Sequence, residues 1–566
     1  MNETHTIVNR YPFCFTPLLY LSLLFFTAVA CNNDNESLSQ VSENFSHQLP
    51  GEEGDLFKDI TVAAGISFEH NMGDDYLTNV IESVGGGCVF FDYNQNGLMD
   101  LYIANGIHHD VLSSGERSSL ISGNVLYENL GNGRFADRTQ QSRTGDLSYS
   151  MAVTVGDFDN DGFPDIYVSN YGPNTLFRNN GDGTFTDVTE RAGVAGNESS
   201  AGAVWLDYNR NGLLDLYVAN YVEFNPNLNL AYAPDGYPGP LNFRGQPDRL
   251  YRNNGDGTFT DVTVEMGLYR PEGRAMGVGS IDIDGDGYPE IFVANDAMPN
   301  YLFKNNQGES FTDIAVRAGI AFNRGGEATA SMAFSFGDYT GNGDIDLFVT
   351  DDTYNSLYQN RGGLLFSDVS FQSGIAMASG QHVGWAASFI DYNNNTLRDL
   401  FITNGELKHT YGQEDQLFRN NGDGSFTEIS AELGSYFSQA RVGRGACIGD
   451  YDNDGDLDIF IVNLNEASVL LRNDTAKENH WLLVDLIGTR SNRDGIGASV
   501  SVTAGGITQV AQKTGGGHYL SQNDPRLHFG LAEHNVIDLI EVKWPSGAVQ
   551  ILENISANQI LTIEEE

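Results

Sequence analysis

The chain is poor in positive charge. Its 566 residues hold 30 Lys and Arg against 76 Asp and Glu, a formal net charge of −46, and no basic stripe interrupts the deficit. A field of that sign repels phosphate backbones, so nucleic acid is excluded as a partner. The excess acid reads as a solvated surface that keeps the chain soluble rather than as a face for a specific cationic partner. Cysteine is scarce too. Of four residues, Cys14 and Cys31 sit in an apolar N-terminal stretch, leaving Cys88 and Cys447 as one pair at most. Helical periodicity is also in short supply. Sixty-five glycines, strand-type alternation and recurrent Asn-Gly, Asp-Gly and Gly-Asp turns leave little room for helix.

What the chain has instead is one acidic loop in seven copies, at spacings of 50 to 75 residues. They read DYNQNGLMD (Asp92 to Asp100), DFDNDGFPD (Asp157 to Asp165), DYNRNGLLD (Asp207 to Asp215), DIDGDGYPE (Asp282 to Glu290), DYTGNGDID (Asp338 to Asp346), DYNNNTLRD (Asp391 to Asp399) and DYDNDGDLD (Asp450 to Asp458). Oxygen-bearing side chains recur at positions one, three, five and nine, and a glycine at six permits the sharp turn that an oxygen cage round a hard cation needs. The predicted ion is Ca²⁺, at up to seven sites. With position seven included, the candidate ligands of the first loop are Asp92, Asn94, Asn96, Leu98 and Asp100, and of the second Asp157, Asp159, Asp161, Phe163 and Asp165. The third offers Asp207, Asn209, Asn211, Leu213 and Asp215, and the fourth Asp282, Asp284, Asp286, Tyr288 and Glu290. The fifth offers Asp338, Thr340, Asn342, Asp344 and Asp346, and the sixth Asp391, Asn393, Asn395, Leu397 and Asp399. The seventh offers Asp450, Asp452, Asp454, Asp456 and Asp458. Loops two, four and seven carry carboxylates at all four of positions one, three, five and nine, so they should fill first. Loop six should bind most weakly, because Thr396 stands where the others have glycine.

An EF-hand would need a bidentate Glu at position twelve and a helix on either side. Position twelve is Val168, Val293 or Ile461 in the acid-rich loops, and strand-type sequence such as DLYVAN (Asp215 to Asn220) follows. The loops therefore join strands. A second motif alternates with them, cleanest in LFRNNGDGTFTDVT (Leu176 to Thr189): a strand, an Asn-Asn-Gly-Asp-Gly hairpin, and a strand leaving through Phe-x-Asp-Val-Thr. Related copies begin at Leu126, Leu250, Leu302, Leu357 and Leu417. A third strand of small residues, such as AGAVWL (Ala201 to Leu206), precedes each loop and suits crowding round an axis.

Each repeat is thus a four-stranded antiparallel unit, and the fold class is all-β, a seven-bladed β-propeller. FKDIT (Phe57 to Thr61) has no blade of its own, and the seventh blade lacks its Phe-x-Asp strand, so the first should complete the last. The propeller is placed at residues 56–476.

The apolar run from Tyr11 to Ala30 reads as an export segment over residues 1–30, ending in Ala28-Val29-Ala30-Cys31. Lipidation at Cys31, cleavage by an ordinary signal peptidase and an uncleaved span are the three alternatives, and all place the body outside the cytoplasm, membrane-anchored or secreted. Residues 31–55, rich in Asn, Ser, Glu and Gly, form a tether. Cys88 lies four residues before its loop's first Asp and Cys447 three, so their side chains are expected on opposite strand faces, as buried free thiols rather than a disulfide.

After Asn473 the repeat grammar stops, and short strands between Gly, Asn and Pro turns form a small β-sandwich-like domain at 477–566. This stretch resembles the ASPIC/UnbV domain through SNRDGIGA (Ser491 to Ala498), HFGL (His528 to Leu531) and WPSG (Trp544 to Gly547), and the repeats before it resemble the FG-GAP or VCBS calcium blades of integrin α chains. Together they resemble the cartilage acidic protein family in a bacterial form. The resemblance implies extracellular calcium binding and an adhesion-like scaffolding role, with an unknown protein or glycan as ligand.

No catalytic constellation stands outside the loops. His108, His109 and Asp110 suggest a transition-metal site, but adjacent histidines on an extended loop point apart, so a solvated loop is the preferred reading. The Pro- and aromatic-rich insertion Phe224 to Arg249 offers rings for sugar stacking, against the simpler reading that they staple the loop down. A glycan-binding or polysaccharide-processing surface protein is the alternative function. His518, His528 and Trp544 are read as core and turn residues.

Overall fold

The computed structural model describes residues 54–74, 77–107, 123–225, 236–476 and 478–566. The export segment, most of the tether and His108, His109 and Asp110 lie outside the described residues. Among the latter, no helix is long and apolar enough to cross a membrane.

Seven four-stranded antiparallel sheets follow one another along the chain. Blade two shows the pattern: Tyr149–Gly156 is the inner strand, Asp165–Tyr171 and Thr175–Asn179 follow, and Phe185–Asp187 is the outer strand. Each acidic loop joins a blade's first strand to its second. Blade seven takes its inner three strands from Gly443–Gly449, Asp458–Asn463 and Val469–Asn473 and its outer strand from Phe57–Asp59, with Phe57 opposite Asn473. The N-terminal strand therefore closes the ring, as the unmatched Phe-x-Asp motif predicts, and no blade presents the open edge that an unclosed ring would.

Two residues of the repeat hold neighbouring blades together. The Asn ending the third strand gives its backbone N–H to the carboxylate at loop position nine, as from Asn179 to Asp165 at 2.7 Å. Its side-chain amide then donates across the seam to the carbonyl at position two of the preceding blade's loop. Asn179 reaches Tyr93, Asn253 reaches Phe158, Asn420 reaches Tyr339, Asn473 reaches Tyr392, and Asn129 reaches Tyr451, all at 2.7 to 2.9 Å. The aromatic ring at position two packs on the Phe of the next blade's outer strand, as Tyr93 does on Phe185 and Phe158 on Phe259. Loop geometry and blade packing are thus one structure.

The C-terminal domain is two sheets over one core. The strands His480–Ile487 and Gln559–Glu564 pair in parallel, with Leu527–Ala532 on the other side. The second sheet orders Ile507–Gln512, Ser499–Ala504, Val536–Lys543 and Val549–Ser556. Leu482, Val484, Val500, Val502, Phe529 and Ile540 are fully buried between them.

The domain does not stand apart from the ring. Its segment 514–524 runs along the propeller axis and touches the inner strands of all seven blades. Trp205 N–H donates to Gly515 O at 2.9 Å, Val153 N–H to Leu520 O at 3.0 Å, and the Gln522 N–H to Cys88 O at 3.0 Å. Asp524 N–H donates to Ile448 O at 2.8 Å, the Asn523 amide reaches Ser388, and the His518 ring lies 3.3 Å from Ala387 O. Gly517 packs on Gly279 and on the Phe334 ring. The run of glycines is steric in origin. A Cβ on Gly515 would lie 2.3 Å from Trp205 O, and Gly516 has φ +124 with the Thr154 hydroxyl 2.8 Å from its Cβ position. At the far end Tyr519 sits edge-on to Trp385, whose ring also lies 3.6 Å under the Arg444 guanidinium. Arg444 is fully buried and donates to Ser83 O, Gly443 O and Glu406 O, which satisfies a charge that has no carboxylate partner.

Cys88 and Cys447 are both buried free thiols. Free and buried is what the sequence predicts, but they belong to one apolar cluster at the junction of blades one and seven, so opposite strand faces do not hold them apart. Blades stack like cards, and the face of blade seven that meets blade one is the reverse of the face that blade one turns to it. Opposite faces are the ones that come together. In the insertion after Phe224, Tyr237 and Phe243 are buried and Phe224 packs on Tyr171 and Phe243, so the described rings staple the loop.

Candidate metal centres

Each loop is tied to itself before any ion is considered. The carboxylate at position one accepts the N–H groups of positions five and six, as Asp157 does from Asp161 at 3.0 Å and Gly162 at 2.6 Å. The side chain at position five accepts the N–H of position seven, as Asp161 does from Phe163 at 3.0 Å. Position nine is buried in every copy: Asp100, Asp165, Asp215, Glu290, Asp346, Asp399 and Asp458. Loop six keeps the same bonds, from Asn395 at 2.9 Å and Thr396 at 2.8 Å to Asp391, although Thr396 must take φ 80 to make them.

In loops two, four and seven the carboxylates converge. Oxygens of Asp157, Asp159 and Asp165 lie within 4.8 Å of one another, as do those of Asp282, Asp284 and Glu290, and those of Asp450, Asp452 and Asp458. These are the three loops that sequence ranks first. Position five completes none of the three groups.

The donor set fits a hard cation. Buried acceptors without any hydrogen-bond donor recur at ligand positions: Asn94 Oδ1, Asp159 Oδ1 and Asn393 Oδ1 at position three, and Asp215 Oδ2, Asp346 Oδ2 and Asp399 Oδ2 at position nine. A buried oxygen lone pair left unpaired costs about 1–3 kcal/mol, which coordination would recover. Burial, followed by the neighbouring carboxylates, pushes Asp100, Glu290 and Asp450 up to about 8. For Asp157, also at about 8, the main cause after burial is Asp494 of the C-terminal domain. Such clusters hold their protons unless a cation neutralises them.

Protein cations already answer that demand. Lys304 Nζ stands 2.5 Å from Asp284, 2.8 Å from Asp286 and 3.4 Å from Glu290, and Arg178 makes 2.5 Å contacts with Asp159 and Asp161. Both side chains come from one place, the residue before the seam-spanning Asn of the third strand. In blade one that residue is Glu128, which accepts from the Asn94 amide at 3.4 Å and adds a carboxylate that loop one lacks. Sequence reasoning passed over this position, whose signal is the alternation of Glu128, Arg178, Arg252, Lys304, Gln359, Arg419 and Arg472 before an invariant Asn.

The C-terminal domain covers the same face as the loops. Asp157 N–H donates to Asp494 at 2.7 Å and Arg493 N–H to Asn160 at 2.8 Å in loop two, and Arg210 of loop three donates to Pro545 O at 2.8 Å. The Gln512 side chain bonds the backbone of Asp282 in both directions, Ala532 N–H donates to Asn394 O, and Arg526 donates to Asp450 O and Asn453. His528 and Trp481 close over Gly455 of loop seven.

This arrangement matches a known repeat. The FG-GAP-like repeat pattern fits residues 92–168, 157–218, 241–293, 282–349 and 391–461. The chain belongs to the FG-GAP-like repeat family. Behind these FG-GAP-like repeats, residues 488–566 match the domain described as ASPIC and UnbV. The chain is similar to cartilage acidic protein 1 of Homo sapiens, 25% identical over 318 residues, covering 54% of this chain and 46% of the relative. To the Mus musculus protein of that name it is 26% identical over 332 residues, covering 56% and 49%. The family resemblance drawn from the motifs is borne out, and the chain spans about half the length of the curated relatives it matches. Among solved structures, an Agrocybe aegerita lectin described as recognising non-reducing terminal N-acetylglucosamine aligns with TM-score 0.41 at 17% identity, over 63% of this chain and 86% of that one. FG-GAP-like repeats commonly hold calcium, and the acidic clusters here have the donors to do so.

Proposed function

We propose that the chain is an extracytoplasmic calcium-loaded binding module, a scaffold that presents a surface to a protein or glycan ligand rather than a catalyst. The observation that carries this reading is the convergence of three carboxylates in loops two, four and seven, with unpaired buried acceptors at the same positions of other loops. Bound Ca²⁺ supplies the positive charge that lets these carboxylates stay ionised side by side. Asp157, Asp159 and Asp165, their counterparts Asp282, Asp284 and Glu290, and Asp450, Asp452 and Asp458 would hold the primary ions. Lys304 and Arg178 would turn outward when they do.

Because position two of every loop but the fourth receives the seam amide of the next blade, an ordered loop is an ordered seam, and calcium acts well beyond its own loop. The C-terminal domain covers loops on one face and its axial segment fills the channel, so ligand contact falls to the opposite face and the outer strands. The apolar N-terminal segment exports the chain, with Cys31 as the lipid attachment site. A protein and glycan pull-down with the intact ectodomain, in calcium against chelator, tests the reading. Ligands retained in calcium and lost in chelator support it, and capture indifferent to calcium with an unchanged fold would contradict it.

A further inference from the structure

We propose that Cys88 and Cys447 are a disulfide pair that clasps the seam between blades one and seven. The argument is one of register. The inner strands of these blades run side by side in the same direction, and two contacts bracket the cysteines. At Gly445 a Cβ would lie 2.0 Å from Gly86 O, and at Gly449 it would lie 3.2 Å from the Phe90 ring. Residue 445 therefore faces 86, and 449 faces 90. Counting two residues along each strand from the first pair, or back from the second, sets Cys447 against Cys88 on the facing sides of the two blades.

Both side chains are fully buried in one cluster with Phe90, Phe460 and Val462, so no other thiol among the described residues competes for either. Cys88 is the neighbour that, after burial, most raises the Cys447 thiol's pKa, and the Ser521 hydroxyl of the axial segment lies 3.7 Å from Cys88 Sγ. This seam is also the one the chain must close non-covalently, with Phe57–Asp59 supplying the last strand of blade seven. A bond from 88 to 447 would enclose nearly the whole ring.

The chemistry is thiol–disulfide exchange, and it draws on the exported setting proposed above for its oxidant, a small-molecule or protein disulfide. One cysteine thiolate attacks that disulfide and releases one thiol. The second thiolate attacks the resulting mixed disulfide and releases the other thiol, so two protein thiols are oxidised and one external disulfide is reduced. Burial pushes the Cys447 thiol well up, which slows attack once the ring has closed. The bond belongs to folding, as blade seven docks on blade one and before the two thiols are sealed from solvent.

The test is refolding of the full chain from reduced denaturant in a buffer of reduced and oxidised glutathione, followed by alkylation and peptide mapping. The expected product is one linked peptide joining Cys88 to Cys447, two hydrogens lighter than the reduced pair, with a melting temperature higher than that of the reduced chain by roughly 5 °C. A Cys447→Ser chain should show no difference between oxidised and reduced buffers. Cys88 and Cys447 each found alkylated, or each carrying its own glutathione, in refolded chain that still melts cooperatively would overturn the pairing. Because the oxidant is supplied in the tube, the outcome is independent of export.

Discussion

Tyr519 is the tip of the axial segment, and replacing it separates a plug that holds the molecule together from one that merely fills space. The side chain is fully buried, 5.4 Å from the Trp385 ring centroid in an edge-on contact, beside Arg444. Its hydroxyl has no hydrogen-bond partner. Tyr519→Ala deletes a whole buried ring from a site walled by Trp385 on the inner strand of blade six and Arg444 on that of blade seven. The expected loss is about 3–5 kcal/mol, the range for large aromatics removed from cores. Tyr519→Phe removes only an unpaired hydroxyl, and should be neutral or stabilising by about 1 kcal/mol. Urea unfolding followed by Trp fluorescence gives both numbers, and limited proteolysis within 514–524 reports whether the segment has left the axis. If Tyr519→Ala unfolds within about 0.5 kcal/mol of the parent and stays protease-resistant, or if Phe is as damaging as Ala, the axial packing argument fails.

Three further outcomes follow from the same contacts. Phe57→Ala removes a buried ring packed on Phe437 at 5.9 Å from the closing strand, and should cost about 3–5 kcal/mol and yield aggregates by light scattering, because blade seven is left with an unpaired edge. Asn179→Ala leaves Tyr93 O without its donor and the turn at Gly181 without its acceptor, and should cost about 2 kcal/mol in urea unfolding while Asn180→Ala, on the exposed side of that turn, costs little. Glu565 is side-chain buried, which alone would raise its pKa. The N–H groups of Ser491, Thr489 and Arg490 and the Ser546 hydroxyl outweigh this and hold it at about 2. A carboxyl depressed in the folded state stabilises above its unfolded pKa and loses that contribution as pH falls through the folded one. Glu565 should therefore contribute about 2–3 kcal/mol above pH ~4.5, lost between ~4 and ~2, and Glu565→Gln should flatten that acid limb of the stability curve.

The ring was legible because its signals are local and repeated. An acidic loop, a small-residue strand and an Asn-Asn-Gly hairpin each occupy a few consecutive residues, and the unmatched Phe-x-Asp motif at residue 57 pointed to its own partner. The axial segment was not legible. GGGHYLSQND has no periodicity, and its partners are backbone atoms and small side chains distributed over seven strands across more than 350 residues. The first Asn of each hairpin was read as a turn former, although its amide crosses to the preceding blade, because that bond is invisible within one repeat. Strand parity located the two cysteines on the correct faces, yet parity within a blade says nothing of which faces meet between blades. Which loops gather three carboxylates was legible too, since it depends on whether position three carries charge.

The account rests most heavily on calcium as a structural ion, and one experiment addresses that directly: thermal melting of the calcium-loaded chain with and without chelator, beside Asp159→Ala, Asp284→Ala and Asn393→Ala. Each ion present at about ten times its dissociation constant adds roughly 1.4 kcal/mol to the folded state, so chelation should lower the melting temperature steeply. The two aspartate variants should lose much of that calcium-dependent shift, and Asn393→Ala, in the loop with two carboxylates and the strained Thr396, should lose little. A melting temperature indifferent to chelator, in a preparation shown beforehand to be calcium-loaded, would contradict the account.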